Sequence, residues 1–140
     1  MAKTTTQSRQ PRGIRNNNPL NIRISGQRWR GKVDHNTDGS FEQFVDMIHG
    51  IRAAIVIVRT YISRHHLDTP RQIIQRWAPE SENQVEAYIK TACEKAHLTD
   101  HQRISINSKN AILRLLWGMT QVENGKVVPY TDFEAAWAII

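Results

Sequence analysis

Apolar residues are thin over the first third of the chain and then change rhythm. Ile48, Ile51, Ile55, Val58 and Ile62 recur at spacings of three and four, one face of a helix, which predicts an element from about Asp46 to His65. Ala53, Ala54, Val56 and Ile57 widen that face and place the helix at the centre of the core. Thr69 followed by Pro70 reads as an N-cap and first helical residue, giving a short helix through Trp77 that Pro79 stops. Ser81 to Gln84 has capping-box spacing and opens a helix through about Ala96; Thr99 to Gln102 repeats the signal for a shorter one. Asn107 or Ser108 then caps a helix carrying Ile112, Leu115, Leu116, Met119 and Val122, which Gly125 ends. A last capping box, Thr131 to Glu134, starts the C-terminal helix.

Before Phe44 the pattern is partly alternating. Ile22 and Ile24 lead into the turn signal "SGQR", "DHNTDGS" is a second polar loop, and Phe41 and Phe44 follow, which reads as a small hairpin region with loops. The expected class is therefore mainly α (α+β), a helical domain with a small β-hairpin region near the N-terminus. At 140 residues the chain is most economically one domain. Residues 1–11, polar and basic, are expected to form a flexible tail, and residues 12–140 the domain.

Charge narrows the partners without choosing among them. Nineteen Lys and Arg against thirteen Asp and Glu leave a net charge of +6, suited to nucleic acid, anionic cell-wall polymers or acidic lipid. The basic residues are spread along the chain instead of gathering on one helix, which argues against a nucleic-acid-binding module. No stretch approaches the roughly 18 apolar residues that span a bilayer, so no membrane insertion is expected. The N-terminus lacks the apolar core of a secretory signal, and work outside the cytoplasm would need another route. Cys93 stands among Val85, Tyr88, Ile89, Ala92 and Ala96 at helical spacing and is expected to be buried and unreactive. His97 and His101 have the spacing of a zinc pair but lack companion ligands, and His65 and His66 suit a helix end, so neither a metal nor a cofactor is expected.

Two carboxylate positions carry candidate chemistry. Glu123 follows Met119 by four residues and directly precedes Asn124 and Gly125, so an acid emerges where an apolar helix stops. The helix C-terminus and apolar neighbours disfavour its ionised form, as a general acid requires; the plain alternative is an exposed terminal glutamate. In "RWAPESENQVEAY", Glu80, Glu82 and Asn83 lie at a helix N-terminus, where carboxylates stay ionised. Glu82 is the candidate there for steadying an oxocarbenium-like transition state or orienting a water, against a plain capping role.

"E-N-G" closing an apolar helix resembles the "E-S-G" that ends the catalytic helix of lysozyme-like lytic transglycosylases and bacterial cell-wall glucosaminidases. "NNNPLNIR…WRGK…SFEQF" is similar to the "N-N-L-F-G-I-K…W-x-G-x…F-x-x-Y" segment of the same glucosaminidases, where a short hairpin lines the sugar cleft. More closely, "RGIRNNNP-x-NIR" with "HGIRA", "RWAPESEN" and "ENG" resembles a family of small proteins encoded in phages and prophages, often labelled virion structural or lysozyme-like. That likeness spans nearly all of residues 12–130.

The resemblance implies a lysozyme-like domain acting on peptidoglycan glycan strands, with Glu123 protonating the glycosidic oxygen. Asn16, Asn17, Asn18, Asn21, Trp29, Asn83 and Tyr130 would then contact substrate. It also implies a place in the phage virion, with virion proteins as further partners, or in the host cell with delivery to the cell wall. One departure stands out: in ordinary lysozyme-like enzymes the glutamate helix precedes the hairpin, whereas here it comes near the C-terminus. Either the chain is circularly permuted, the reading favoured because both halves of the site are present, or the acid is lost and a non-enzymatic scaffold remains. Permutation requires the "VENG" and "NNNP" segments to face each other across a groove.

Overall fold

The computed structural model describes residues 10–78 and 81–140. Most of the expected tail, together with Pro79 and Glu80, lies outside the described residues. The six helices among the described residues are α1 (Arg12–Arg15), α2 (Met47–His65), α3 (Pro70–Trp77), α4 (Glu82–Ala96), α5 (Lys109–Asn124) and α6 (Tyr130–Ala138). Their ends follow local chemistry. Asp46 accepts the His49 amide at the start of α2, Thr69 accepts the Gln72 amide ahead of Pro70, and Ser81 and Gln84 complete a reciprocal capping box on α4. Helix α5 ends at Gly125 with φ 75°, the left-handed conformation expected of a C-cap.

Helices α4 and α5 form the tightest pair and run antiparallel. Tyr88 meets Glu123, Ala92 meets Gly118, and the Arg114 guanidinium donates to the Ala96 carbonyl. At the crossing, a side chain on residue 118 would collide with the Ala92 carbonyl, so glycine lets the two backbones touch. Helix α2 packs on α6 and α5, enclosing Ile51, Ile55, Leu115, Leu116, Met119 and Phe133, all without exposed surface. Cys93 is buried in α4, and burial pushes its thiol up to about 11, so thiolate is scarce near neutral pH.

Three expectations from the sequence need correction. Thr99 does donate its amide to Gln102, yet no helix forms there. The chain instead turns away to bury Ile104, whose amide donates to the Asp68 carbonyl at 2.7 Å. Helix α6 begins at Tyr130 after Pro129, not from a Thr131 cap, because the proline ring already presets the backbone for a helix start.

The expected hairpin reduces to two isolated antiparallel bridges, Arg23 with Phe41 and Lys32 with Phe44, and no strand forms among the described residues. Side chains take over the work of a ladder here. Asn18 accepts the Ile22 amide and donates to the Ile22 and Glu42 carbonyls. Asp38 accepts the Ser40 and Phe41 amides.

Asp38 also carries a two-pronged contact from Arg12, at 2.8 and 2.7 Å, and accepts from Asn16. The Arg12 guanidinium, aided by those other donors, holds the Asp38 carboxyl far below its usual range. A depressed folded-state value adds stability above the unfolded value, near 3.8, and that stability is lost as pH falls further. Thermal melts between about pH 2 and 7 should therefore show the Asp38→Asn deficit at neutral pH shrinking below about pH 4. A deficit that stays constant across the range would contradict this role.

Candidate functional site

The apolar face of α5 delivers Glu123 to the end of the helix, half-buried, one turn beyond Met119. Its two carboxylate oxygens are addressed separately. The Tyr88 hydroxyl donates to Oε2 at 2.8 Å, and the Asn21 side-chain amide donates to Oε1 at 2.8 Å. Burial, then the adjacent Glu123 charge and hydrogen bond, raise the Tyr88 phenol well above its ordinary value of 10. Tyr88 therefore remains a proton-bearing donor across any working pH.

Asn21 reaches Glu123 because its backbone adopts the left-handed conformation, φ 53°, which asparagine tolerates better than most residues. The next residue along α5 ties the same segment from the other side, since the Asn124 amide donates to the Pro19 carbonyl at 2.8 Å. Gly13 makes room for both contacts. A side-chain carbon there would stand 2.6 Å from the Asn124 amide oxygen and 2.9 Å from that of Asn21.

The "VENG" and "NNNPLN" segments thus meet, but not as two walls of a gap. They touch through hydrogen bonds, and the open space lies on the other side of Glu123, toward α4. That cleft holds about 460 Å³ and is lined by Ala78, Gln84, Ala87, Tyr88, Thr91, Val122 and Glu123. A second groove of about 220 Å³ is lined by Asn21, Ile22, Arg23, Ile57, Tyr61 and Trp77, without Glu123.

The remaining candidates fall into separate settings. Asn16 is buried, donating to Asp38 and accepting from Gln43. Asn17, also left-handed at φ 53°, donates to the Phe44 carbonyl, and Asn18 has no exposed surface. These three amides build the turn that holds Asn21 in place. Trp29 is half-buried against the core, away from the Glu123 cleft. Glu82 and Asn83 are exposed in the first turn of α4, and the cleft wall is made by later residues of that helix. Tyr130 stacks on Phe133 and meets Trp117 edge-on, and it lines neither depression.

One residue of the site was not singled out by sequence reasoning, and a second stood open between two readings. Tyr88 fits the apolar face of α4 and reads as core, although a tyrosine whose hydroxyl must find a partner is a signal in itself. Trp77 reads equally as core or as a ring that stacks on a sugar, and it lines the second groove with its indole N–H donating to the Leu20 carbonyl. Among the described residues, no group of three or more His, Cys, Asp or Glu is placed to hold a metal ion. No helix among them is long and apolar enough to cross a membrane.

Fold and site together define a mainly helical domain whose antiparallel α4–α5 pair presents an oriented carboxylate to an open cleft. No family model matches the chain. Over 123 residues it is 40% identical to Protein P5 of Pseudoalteromonas phage PM2, covering 86% of this chain and 74% of that protein. The chain belongs to the family of this phage protein, which supports a phage origin.

Proposed function

We propose that the protein cleaves the glycan strands of peptidoglycan, with Glu123 as the general acid, and that it travels in the phage particle. The observation that carries this reading is the half-buried Glu123 carboxylate, gripped by Tyr88 and Asn21 at the edge of a cleft large enough for a sugar. Protonated Glu123 gives its proton to the glycosidic oxygen as the bond to the anomeric carbon breaks. The carboxylate left behind is stabilised by the same two donors, already in position. In a lytic route a hydroxyl of the substrate closes an anhydro ring and its proton returns to Glu123. Such a route needs no second carboxylate, which suits a site where Glu82 is not part of the cleft wall. In this reading the fold is a circularly permuted lysozyme-like domain, with the "VENG" and "NNNPLN" segments brought together by hydrogen bonds instead of facing each other across the groove that permutation was expected to give.

Purified sacculi incubated with the protein should lose turbidity, and a zymogram should clear at its band. Absence of clearing, together with stable incorporation into phage particles, would favour a non-enzymatic virion component on the same scaffold. Tyr88→Phe removes one donor from the carboxylate and should lower kcat about tenfold, the equivalent of one lost hydrogen bond to a charged group, with little change in KM. Because the lost bond favoured the ionised form, the basic limb of the pH–rate profile should move to higher pH. An unmoved profile would remove Tyr88 from the positioning of the acid.

A further inference from the structure

Arginines that lie scattered along the sequence are gathered by the fold into one strip. Arg52, Val56, Arg59 and Ser63 recur in α2 at spacings of four, three and four and share one face of that helix, with Ile57 and Tyr61 nearly half a turn around from them. The arginine face therefore lies across α2 from the groove lined by Ile57, Tyr61 and Asn21. Two of its guanidinium groups are pinned. Arg52 Nε donates to the Ile139 carbonyl at 3.3 Å, and Arg59 Nε donates to the Ile106 carbonyl at 3.1 Å, with its guanidinium over the Trp137 ring. Arg30 joins them from the N-terminal loops, since its Nη1 donates to the same Ile139 carbonyl at 3.1 Å. Arg64, exposed toward the end of α2, borders with Arg59 a depression of about 280 Å³ whose other lining residues are Val56, Thr60, Ser63 and Ile106.

The strip lacks a counter-charge. Arg30 and Arg52 bring two positive charges onto one neutral carbonyl, an approach that is unfavourable until an anion stands beside them. Helix α2 contains no Asp or Glu, and none of the four arginines forms an ion pair with an acid among the described residues. Each pinned guanidinium spends one N–H on the fold and keeps the rest, in a planar fork that matches phosphate oxygens. The Thr60 and Ser63 hydroxyls donate to the Val56 and Arg59 carbonyls of α2 itself, so the depression offers a ligand guanidinium donors above all.

The character of the surface selects among polyanions. Large apolar side chains left exposed among the described residues are Ile24, Val45 and Ile140, none of them on α2. The helix face thus lacks both the apolar wedge that enters lipid and the aromatic or aliphatic anchor of a protein interface. Arg52 and Arg59 stand about 10 Å apart along the helix axis, and Arg64 about 7 Å further on. A row of fixed cations without an apolar centre suits a chain that carries a phosphate on every unit and is held by its backbone. The phage origin that the relative supports supplies such a polymer, since a phage particle encloses its genome.

We infer that Arg30, Arg52, Arg59 and Arg64 form a binding strip for the phosphodiester backbone of nucleic acid, held without regard to sequence, on a face that shares no residue with the Glu123 cleft. The test is fluorescence anisotropy of the full-length protein with labelled DNA duplexes of about 30 base pairs. Binding should be micromolar at about 50 mM salt, equal for two unrelated sequences, and should weaken with salt along a log–log slope of about −3 to −4, as three or four neutralised phosphates require. Arg64 makes no side-chain hydrogen bond or ion pair among the described residues, and Arg30→Gln leaves the Ile139 carbonyl its bond from Arg52, so both substitutions should leave the fold intact. Arg30→Gln and Arg64→Gln, at opposite ends of the strip, should each make the slope shallower by about one. Lys90→Gln, which removes the same charge from an exposed position on α4, should leave the slope unchanged. Absence of duplex binding, the same change in slope from Lys90→Gln as from Arg64→Gln, a preference between the two sequences, or tighter binding to polyglutamate or to phosphatidylglycerol vesicles than to the duplex would overturn the inference.

Discussion

Glu123→Gln is expected to lower glycan-strand cleavage by about a hundred- to ten-thousandfold, the span general acids contribute, while leaving the domain folded. The substitution removes the transferable proton and keeps the shape. The oxygen of the substituted amide can still accept one hydrogen bond, and the Tyr88 hydroxyl can turn from donor to acceptor to meet the new amide hydrogens. The structural cost should therefore stay near 1 kcal/mol, one neutral hydrogen bond exchanged for another. Initial rates of soluble-fragment release from purified sacculi, paired with thermal melts, separate the two effects. A variant that melts near the wild type and cleaves equally well would take Glu123 out of the mechanism.

Asn18→Ala should have the largest effect on stability, destabilising the domain by about 2–4 kcal/mol. The asparagine has no exposed surface. Its oxygen accepts the Ile22 amide at 2.9 Å, and its nitrogen donates to the Ile22 and Glu42 carbonyls at 3.0 and 2.9 Å. The Ile22 carbonyl keeps a second donor in the Glu42 amide, but the Ile22 amide and Glu42 carbonyl lose the partner Asn18 supplied. Urea denaturation should show a lower midpoint with little change in slope. Because the same turn presents Asn21 to Glu123, activity should also fall under conditions where the variant is still mostly folded. A stability within about 0.5 kcal/mol of wild type, the scatter of ordinary surface changes, would show that water replaces the lost partners without penalty.

Much of the helical frame was legible in the sequence because its signals are local. Asp46, Thr69, Ser81 and Gly125 each act within a turn of the helix they bound, and the three-and-four spacing of α2 and α5 marks the buried face directly. What was not legible depends on distant partners. Thr99 and Gln102 carry the local signal of a helix start, but burial of Ile104 against the Asp68 carbonyl outweighs it. The region up to Phe44 alternates like a hairpin, yet Asn18 and Asp38 occupy the backbone groups a ladder would use. The resemblance made its asparagines sugar contacts, whereas the amides of Asn16 and Asn18 are spent on Asp38, Gln43, Ile22 and Glu42 and only Asn21 reaches the carboxylate.

The pairing of "VENG" with "NNNPLN" joins segments a hundred residues apart, beyond any periodicity, and only the family resemblance placed the two together in advance. Even then the geometry differed from expectation. The segments touch, and the cleft opens toward α4, so the wall that faces the substrate includes Tyr88 and Gln84 instead of the asparagine turn. Trp29 was the aromatic favoured for a sugar, but its ring packs on the core. Trp77 shares a groove with Asn21, and its indole donates to Leu20, one residue before Asn21, a link that no local pattern encodes.

Everything proposed for Glu123 requires that the bond broken be a glycosidic one, and mass spectrometry of the fragments released from purified peptidoglycan decides that point. Wild type should release soluble disaccharide units with intact peptide stems, ending in a reducing sugar or an anhydro sugar, and Glu123→Gln should not. Fragments cut only within or at the base of the peptide stems, or the same fragments from both proteins, would contradict it.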